Sequence, residues 1–127
     1  MTQWRWIADE LIFAAHDRQI SEHGGRPGIR DINLIESALA KPQNLAAYGE
    51  PDAAELAASY AFGLAKNHGF VDGNKRIAWL SARLFLADNG YRLSFAKTEA
   101  VRLVEELAAG TVSEKALAAW FRERLTK

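Results

Sequence analysis

Apolar residues recur at helical spacing along most of the chain. From about Ile7 to Ile20, the residues Ile7, Leu11, Phe13, Ala14 and Ile20 gather on one side of a 3.6-residue wheel. The pattern breaks at His23-Gly24-Gly25-Arg26-Pro27-Gly28, where three glycines and a proline in six residues exclude helix interior and predict a turn or short hairpin. Asp31 is placed to N-cap a short helix carrying Leu34, Ile35, Ala38 and Leu39, which Pro42 should stop. Pro51 and Asp52 open the next helix, with Leu56, Tyr60, Gly63 and Leu64 on one face and an end near Lys66-Asn67-His68. A further helix over 74–88 closes at Gly90, a suitable residue just past a helix end. Two more, roughly 98–109 and 113–126, flank Gly110. With almost no strand signal, the pattern predicts an all-α bundle of about six helices, with a flap or hairpin near residues 23–30.

The 74–88 segment differs from the rest. From Ile77 to Ala87 only Arg83 is charged, so this helix should be buried on most sides and sit at the bundle's centre, its N-terminus reaching a surface cleft. At 127 residues, with no linker, repeat or low-complexity block, the chain reads as one domain over 1–127. Sixteen basic and sixteen acidic residues cancel, which disfavours general attraction to nucleic acid or anionic membrane. No cysteine is present, which excludes disulfides, thiolate metal sites and a cysteine nucleophile. Met1-Thr2-Gln3-Trp4-Arg5-Trp6 lacks the apolar run of a signal peptide, and no stretch approaches the roughly 20 apolar residues of a membrane span. The expected location is the cytoplasm.

Candidate chemistry concentrates in Lys66-Asn67-His68-Gly69-Phe70-Val71-Asp72-Gly73-Asn74-Lys75-Arg76, between two helices. A helix N-terminus offers unpaired N–H groups and partial positive charge. Lys75 and Arg76 in that first turn have the wrong sign for the dipole, and a bound phosphate would reverse the cost. Gly73 and Asn74 suit a nest of amides. His68 can take a proton from a hydroxyl near neutral pH. Asp72 is a hard oxygen ligand suited to Mg2+, which binds through one or two carboxylates plus substrate phosphates. Local charge agrees: residues 60–92 hold Lys66, Lys75, Arg76, Arg83 and Arg92 against Asp72 and Asp88. The plainer reading makes His68 a cap or packing residue, Asp72 an N-cap, Lys75 and Arg76 solvated charges, and Phe70 a core anchor. P-loop, zincin, nucleophile-elbow and zinc-site spacings are all missing. His16 and His23 stand isolated and read as surface or capping residues; Trp4, Trp6 and Trp120 read as packing at the bundle ends.

His68-x-Phe70-x-Asp72-Gly73-Asn74-Lys75-Arg76 resembles the signature of the Fic/Doc superfamily, and the lysine at 75 resembles its death-on-curing (Doc) branch. The Gly24-Gly25-x-Pro27-Gly28 turn, the short helix after it, and Leu84-Phe85-Leu86 followed by Asn89-Gly90 extend the resemblance over nearly the whole chain. It implies a Fic-fold helical bundle acting on ATP with Mg2+. Typical Fic enzymes transfer AMP to a protein hydroxyl, whereas Doc-type toxins transfer the γ-phosphate, with elongation factor Tu as the known kind of target. By position, the resemblance makes His68 the general base and Asp72 the Mg2+ ligand. Gly73, Asn74, Lys75 and Arg76 become phosphate-binding residues, with Lys66 a further phosphate contact.

Three positions depart from the pattern. Trp79 stands where Fic enzymes carry a second arginine, which argues against the usual AMP-transfer pose, since an indole supplies no charged fork. Leu80 stands where Doc has an asparagine, a role that Ser81 could fill instead, and Gly73 replaces an alanine of Doc. Gly24, Gly25, Arg26, Pro27 and Gly28 lie where the superfamily has a flap that clamps an extended target segment. No segment matches the self-inhibitory helix of many Fic proteins, so the resemblance implies an antitoxin on another chain. The expectation is therefore a Doc-like toxin phosphorylating a translation factor. The alternatives are AMP transfer and a catalytically inactive Fic-fold binding protein.

Overall fold

Asp52 begins the helix on which the others assemble. Its carboxylate accepts the Glu55 N–H at 2.9 Å while the Glu55 carboxylate accepts the Asp52 N–H at 3.2 Å, a reciprocal cap. In the computed structural model, which describes residues 3–127, the helices are α1 (Asp9–His23), α2 (Ile32–Tyr48), α3 (Ala53–Asn67), α4 (Asn74–Asp88), α5 (Lys97–Ala109) and α6 (Glu114–Arg124). β1 (Arg92–Leu93) pairs antiparallel with β2 (Leu125–Thr126), Arg92 opposite Thr126 and Leu93 opposite Leu125. The fold is all-α, as the spacing predicted; the two-residue strands are too short to leave a period-2 signal.

The hub is α3 rather than α4. It packs against α2, α4 and α6, and ten of its fifteen residues are buried, against seven in α4. Small residues make this possible, because Ala54, Ala57, Ala58 and Ala61 let neighbouring helices approach closely. At Gly63 a β-carbon would lie 3.3 Å from the Ala38 Cβ and 3.4 Å from its Cα, so α2 crosses α3 at nearly backbone contact. On α4, Trp79, Leu80 and Leu84 stay half-buried, and Arg83 lies over the Trp79 and Phe95 rings.

Pro42 does not stop α2; it lies inside the helix, fully buried. An interior proline forfeits one backbone bond and costs about 3 kcal/mol. Burial of its ring in the core, in a helix already started by Asp31, outweighs that local penalty. The apolar stripe of α1 is also displaced from the one the wheel suggested. Leu11 is 46% exposed and Ala14 is exposed, while Ile12 and His16 point inward. The segment before α1 is held by Asn89, whose side-chain amide bonds both the N–H and the C=O of Arg5, at 2.8 and 3.0 Å. Trp4 and Trp6 thereby rest on Phe85. Trp120 joins Trp79, Phe95 and Phe121 in an aromatic cluster. No helix among the described residues is long and apolar enough to cross a membrane.

The helix crossing at residue 63 has no slack. Gly63→Leu is expected to force α2 and α3 apart and lower stability by about 1–3 kcal/mol, read as a lower urea midpoint with an unchanged slope.

Candidate active site

The segment that leaves α3 turns sharply at His68, which adopts a left-handed conformation (φ 53°, ψ 46°), the one non-glycine residue with positive φ among the described residues. Such a residue persists only when its surroundings hold it. The Arg30 guanidinium does so: Nε donates to the His68 carbonyl at 2.8 Å and Nη2 to that of Asn67 at 3.1 Å. Asn67 in turn donates to the Leu34 carbonyl at 2.8 Å. Gly69 then passes over the first turn of α2, where a β-carbon would meet the Asp31 carbonyl oxygen and the Ile35 nitrogen at 3.1 Å. Only glycine fits there.

Residues 69–71 run beside residues 28–30. Arg30 N–H donates to Gly69 O at 2.8 Å and Val71 N–H to Gly28 O at 3.0 Å, bracketing a single bridge between Ile29 and Phe70. Residues 23–30 thus form no hairpin of their own; His23 ends α1, residues 24–28 form an exposed loop, and that loop closes onto the motif segment. The outward-facing groups of Phe70 go to Asn74, whose Oδ1 accepts the Phe70 N–H and whose Nδ2 donates to the Phe70 carbonyl, both at 3.0 Å. Asn74 Nδ2 also lies 3.2 Å from His68 Nδ1. An amide nitrogen only donates, so Nδ1 accepts and the neutral ring carries its proton on Nε2.

Helix α4 starts bare. Its N-cap is Gly73, in the left-handed region at φ 77°, with no side-chain cap. The first amides of the helix open onto a cavity of about 460 Å³ lined by His23, Gly24, Gly25, His68, Asp72 and Gly73 through Arg76, with Ala65 and Ala108. Asp72 lies at its rim. Oδ1 accepts the Gly73 N–H at 2.8 Å and Oδ2 the Arg26 N–H at 3.1 Å. These bonds, with the Arg26 and Arg76 charges behind them, hold the carboxyl below its ordinary range. The Gly-rich loop is fastened by the same group: a β-carbon on Gly25 would lie 3.0 Å from Asp72 Oδ2. Phe70 is buried, as a core anchor should be.

The structure therefore brings His68, Asp72, Gly73, Asn74, Lys75, Arg76, Gly24 and Gly25 to one cavity, and leaves other expectations unmet. Lys66 does not line it; its Nζ sits 5.5 Å from the centre of the Phe62 ring. The Asn74 side chain is committed to the loop, so only its backbone amide is free for an anion. Ser81 is buried and its hydroxyl donates to Ile77 O at 2.7 Å, so it cannot stand in for the asparagine that Leu80 replaces. Trp79 belongs to the aromatic cluster, not to the cavity. Asp72 is not the N-cap, although its carboxylate binds the cap's N–H. His23 is exposed but lines the cavity. His16 is neither surface nor cap: it is 2% exposed, stacks on Phe70, and places Nε2 2.7 Å from the Asp72 carbonyl. Its spacing four residues beyond Ile12 was the available signal, masked by its polarity.

The described family "Fic/DOC family" matches residues 6–86 of the chain. The chain is 38% identical over 115 residues to a protein kinase doc of Escherichia phage P1, covering 90% of each chain. It is 41% identical over 90 residues to a toxin Doc of Mycolicibacterium smegmatis, covering 67% of this chain and 68% of the relative.

Because the Asp72 carboxylate accepts two N–H bonds when ionised, those bonds are complete above its ordinary pKa and are lost as pH falls through its lowered one. In an acid titration followed by NMR, the Arg26 and Gly73 amide signals should move together, with a midpoint below the usual carboxylate value of about 3.9.

Proposed function

Since the chain belongs to the Fic/DOC family, in its Doc branch, we propose that it is a toxin that transfers the γ-phosphate of ATP to a hydroxyl of a translation factor such as elongation factor Tu. The observation that carries this reading is the uncapped start of α4, open to a cavity whose rim holds His68 and Asp72. The amides of the first turn, with Lys75 and Arg76, would receive the phosphate chain. Asp72 would hold Mg2+: each of its oxygens keeps a lone pair beyond the N–H bond it accepts. Among the described residues no cluster of three or more ligating side chains exists, so a cation here would share its coordination with substrate phosphates, the usual arrangement for Mg2+. When bound, that ion neutralises charge on the transferring group.

The target hydroxyl would attack the γ-phosphorus as ADP leaves, its proton passing to His68. The ring must offer a bare nitrogen. If Nδ1 takes the proton, Asn74 has to yield its place; if Nε2 does, Nδ1 must be protonated and can no longer accept from Asn74. Either way the 3.2 Å contact would have to be given up, before or during transfer. Ile29 offers the target a place to lie. The bonds made by its neighbours point its own N–H and C=O outward, and neither finds a partner among the described residues. An extended segment could pair there. γ-Phosphate transfer is favoured over AMP transfer because residue 79 puts no guanidinium in the cavity. Restraint of the toxin would come from an antitoxin supplied as a separate chain, in the cytoplasm.

ATP labelled at the γ or at the α position separates the two chemistries. Label on the target from γ alone is expected; label from α alone refutes the kinase reading. His68→Ala should lower transfer by about 10²- to 10⁴-fold and relieve growth arrest on expression, whereas arrest that persists unchanged would favour a binding protein.

A further inference from the structure

His16 lies outside the motif, yet its imidazole is built into the back of the proposed site. It stacks nearly parallel on Phe70, with ring centres 3.8 Å apart and planes 15° apart. Its Nε2 is 2.7 Å from the carbonyl oxygen of Asp72. A carbonyl only accepts, so Nε2–H donates. The next residue, Gly73, is pressed against the same ring: a β-carbon there would lie 3.4 Å from His16 Nε2 and 3.3 Å from Ile20 Cδ1. The peptide joining Asp72 to Gly73 is thus gripped from behind by α1. Its front is the start of the anion cradle, where the Gly73 N–H meets the Asp72 carboxylate and the amides of α4 begin.

From this geometry we propose that His16 is a positioning residue, whose Nε2–H fixes the plane of the Asp72–Gly73 peptide and so aims the uncapped amides of α4 at the phosphates. The constraint is needed because residue 73 is glycine. With φ at 77° and no side chain, it tolerates other orientations of that peptide unless the carbonyl is tethered. The Phe70 stack sets the depth of the ring; the hydrogen bond sets the direction of the peptide. The substrate assignment rests on the phosphotransfer reading above, whereas the grip on the peptide does not.

Two replacements separate packing from donation. His16→Phe keeps a flat ring on Phe70 and removes the donor; His16→Gln loses the stack and can place an amide N–H near the position of Nε2. Hydrogen exchange at the two bonded amides of this stretch, Gly73 and Ile77, measured without nucleotide, should speed up in His16→Phe while α2 and α6 stay unchanged, and His16→Gln should restore most of the protection. Calorimetry with MgATP should show the dissociation constant raised by about 10- to 100-fold in His16→Phe and largely recovered in His16→Gln, the range typical of lost supporting hydrogen bonds. A folded His16→Phe with unaltered exchange and affinity overturns the proposal, as does a folded His16→Gln no better than His16→Phe. Should His16→Phe fail to fold, His16→Asn replaces it, since its shorter amide cannot reach the Nε2 position; equal behaviour of the Asn and Gln variants then overturns the proposal. Failure of the wild-type protein to bind MgATP would refute the phosphotransfer reading instead, and the exchange comparison would still judge His16.

Discussion

One side-chain amide sets the geometry on which the site depends. Asn74 gives both its oxygen and its nitrogen to the backbone of Phe70, as a neighbouring strand would, and so folds the 68–73 loop back over the helix that Asn74 itself begins. Because the asparagine is spent on the loop, it cannot cap the helix, and the residue before it is a glycine with no side chain to do so. The first-turn amides of α4 are left unpaired as a direct result. A helix start deprived of its own cap is a standing deficit that an anion can fill.

Around that deficit the charged side chains serve three ends. Asp72 is bound by two backbone N–H groups and faces two arginines, so it stays ionised and in place. Lys75 and Arg76 remain exposed beside the positive end of the helix, an arrangement that is unfavourable until negative charge arrives. Arg30 is used differently: it closes the end of α3 and secures the strained backbone at His68. The walls of the cavity are thus held in place by hydrogen bonds from α1, α2 and the loop between them.

Much of this was legible in the chain. The Asp31 and Asp52 caps, the start of α4 after Gly73 and the grouping of His68 with Asp72 follow from local chemistry, because each depends on neighbours within a few residues. What escaped the sequence depends on distant partners. Pro42 has a fixed local cost, but its burial is set by the packing of the whole bundle. His16 reads as polar because nothing nearby announces that the Asp72 carbonyl, 56 residues away, needs a donor. Asn74 and Asn89 resemble ordinary helix-end residues, while each serves as a surrogate strand for a remote backbone. The place of Lys66 in the chain puts it beside the phosphate site, yet at the end of α3 its side chain extends towards Phe62.

The edge offered by Ile29 is one residue long. Two backbone hydrogen bonds contribute together about 1–3 kcal/mol, too little to retain a passing peptide at cellular concentrations. So short a ledge is a poor template for runaway strand stacking, which needs many successive bonds. It also carries no sequence preference of its own. Under the proposed function, discrimination would reside in the hollow beside it, where Phe13 and Ile32 present apolar surface next to the charge of Asp17. On that reading, a target that fills this hollow would stay long enough to react, and one that merely runs straight would not.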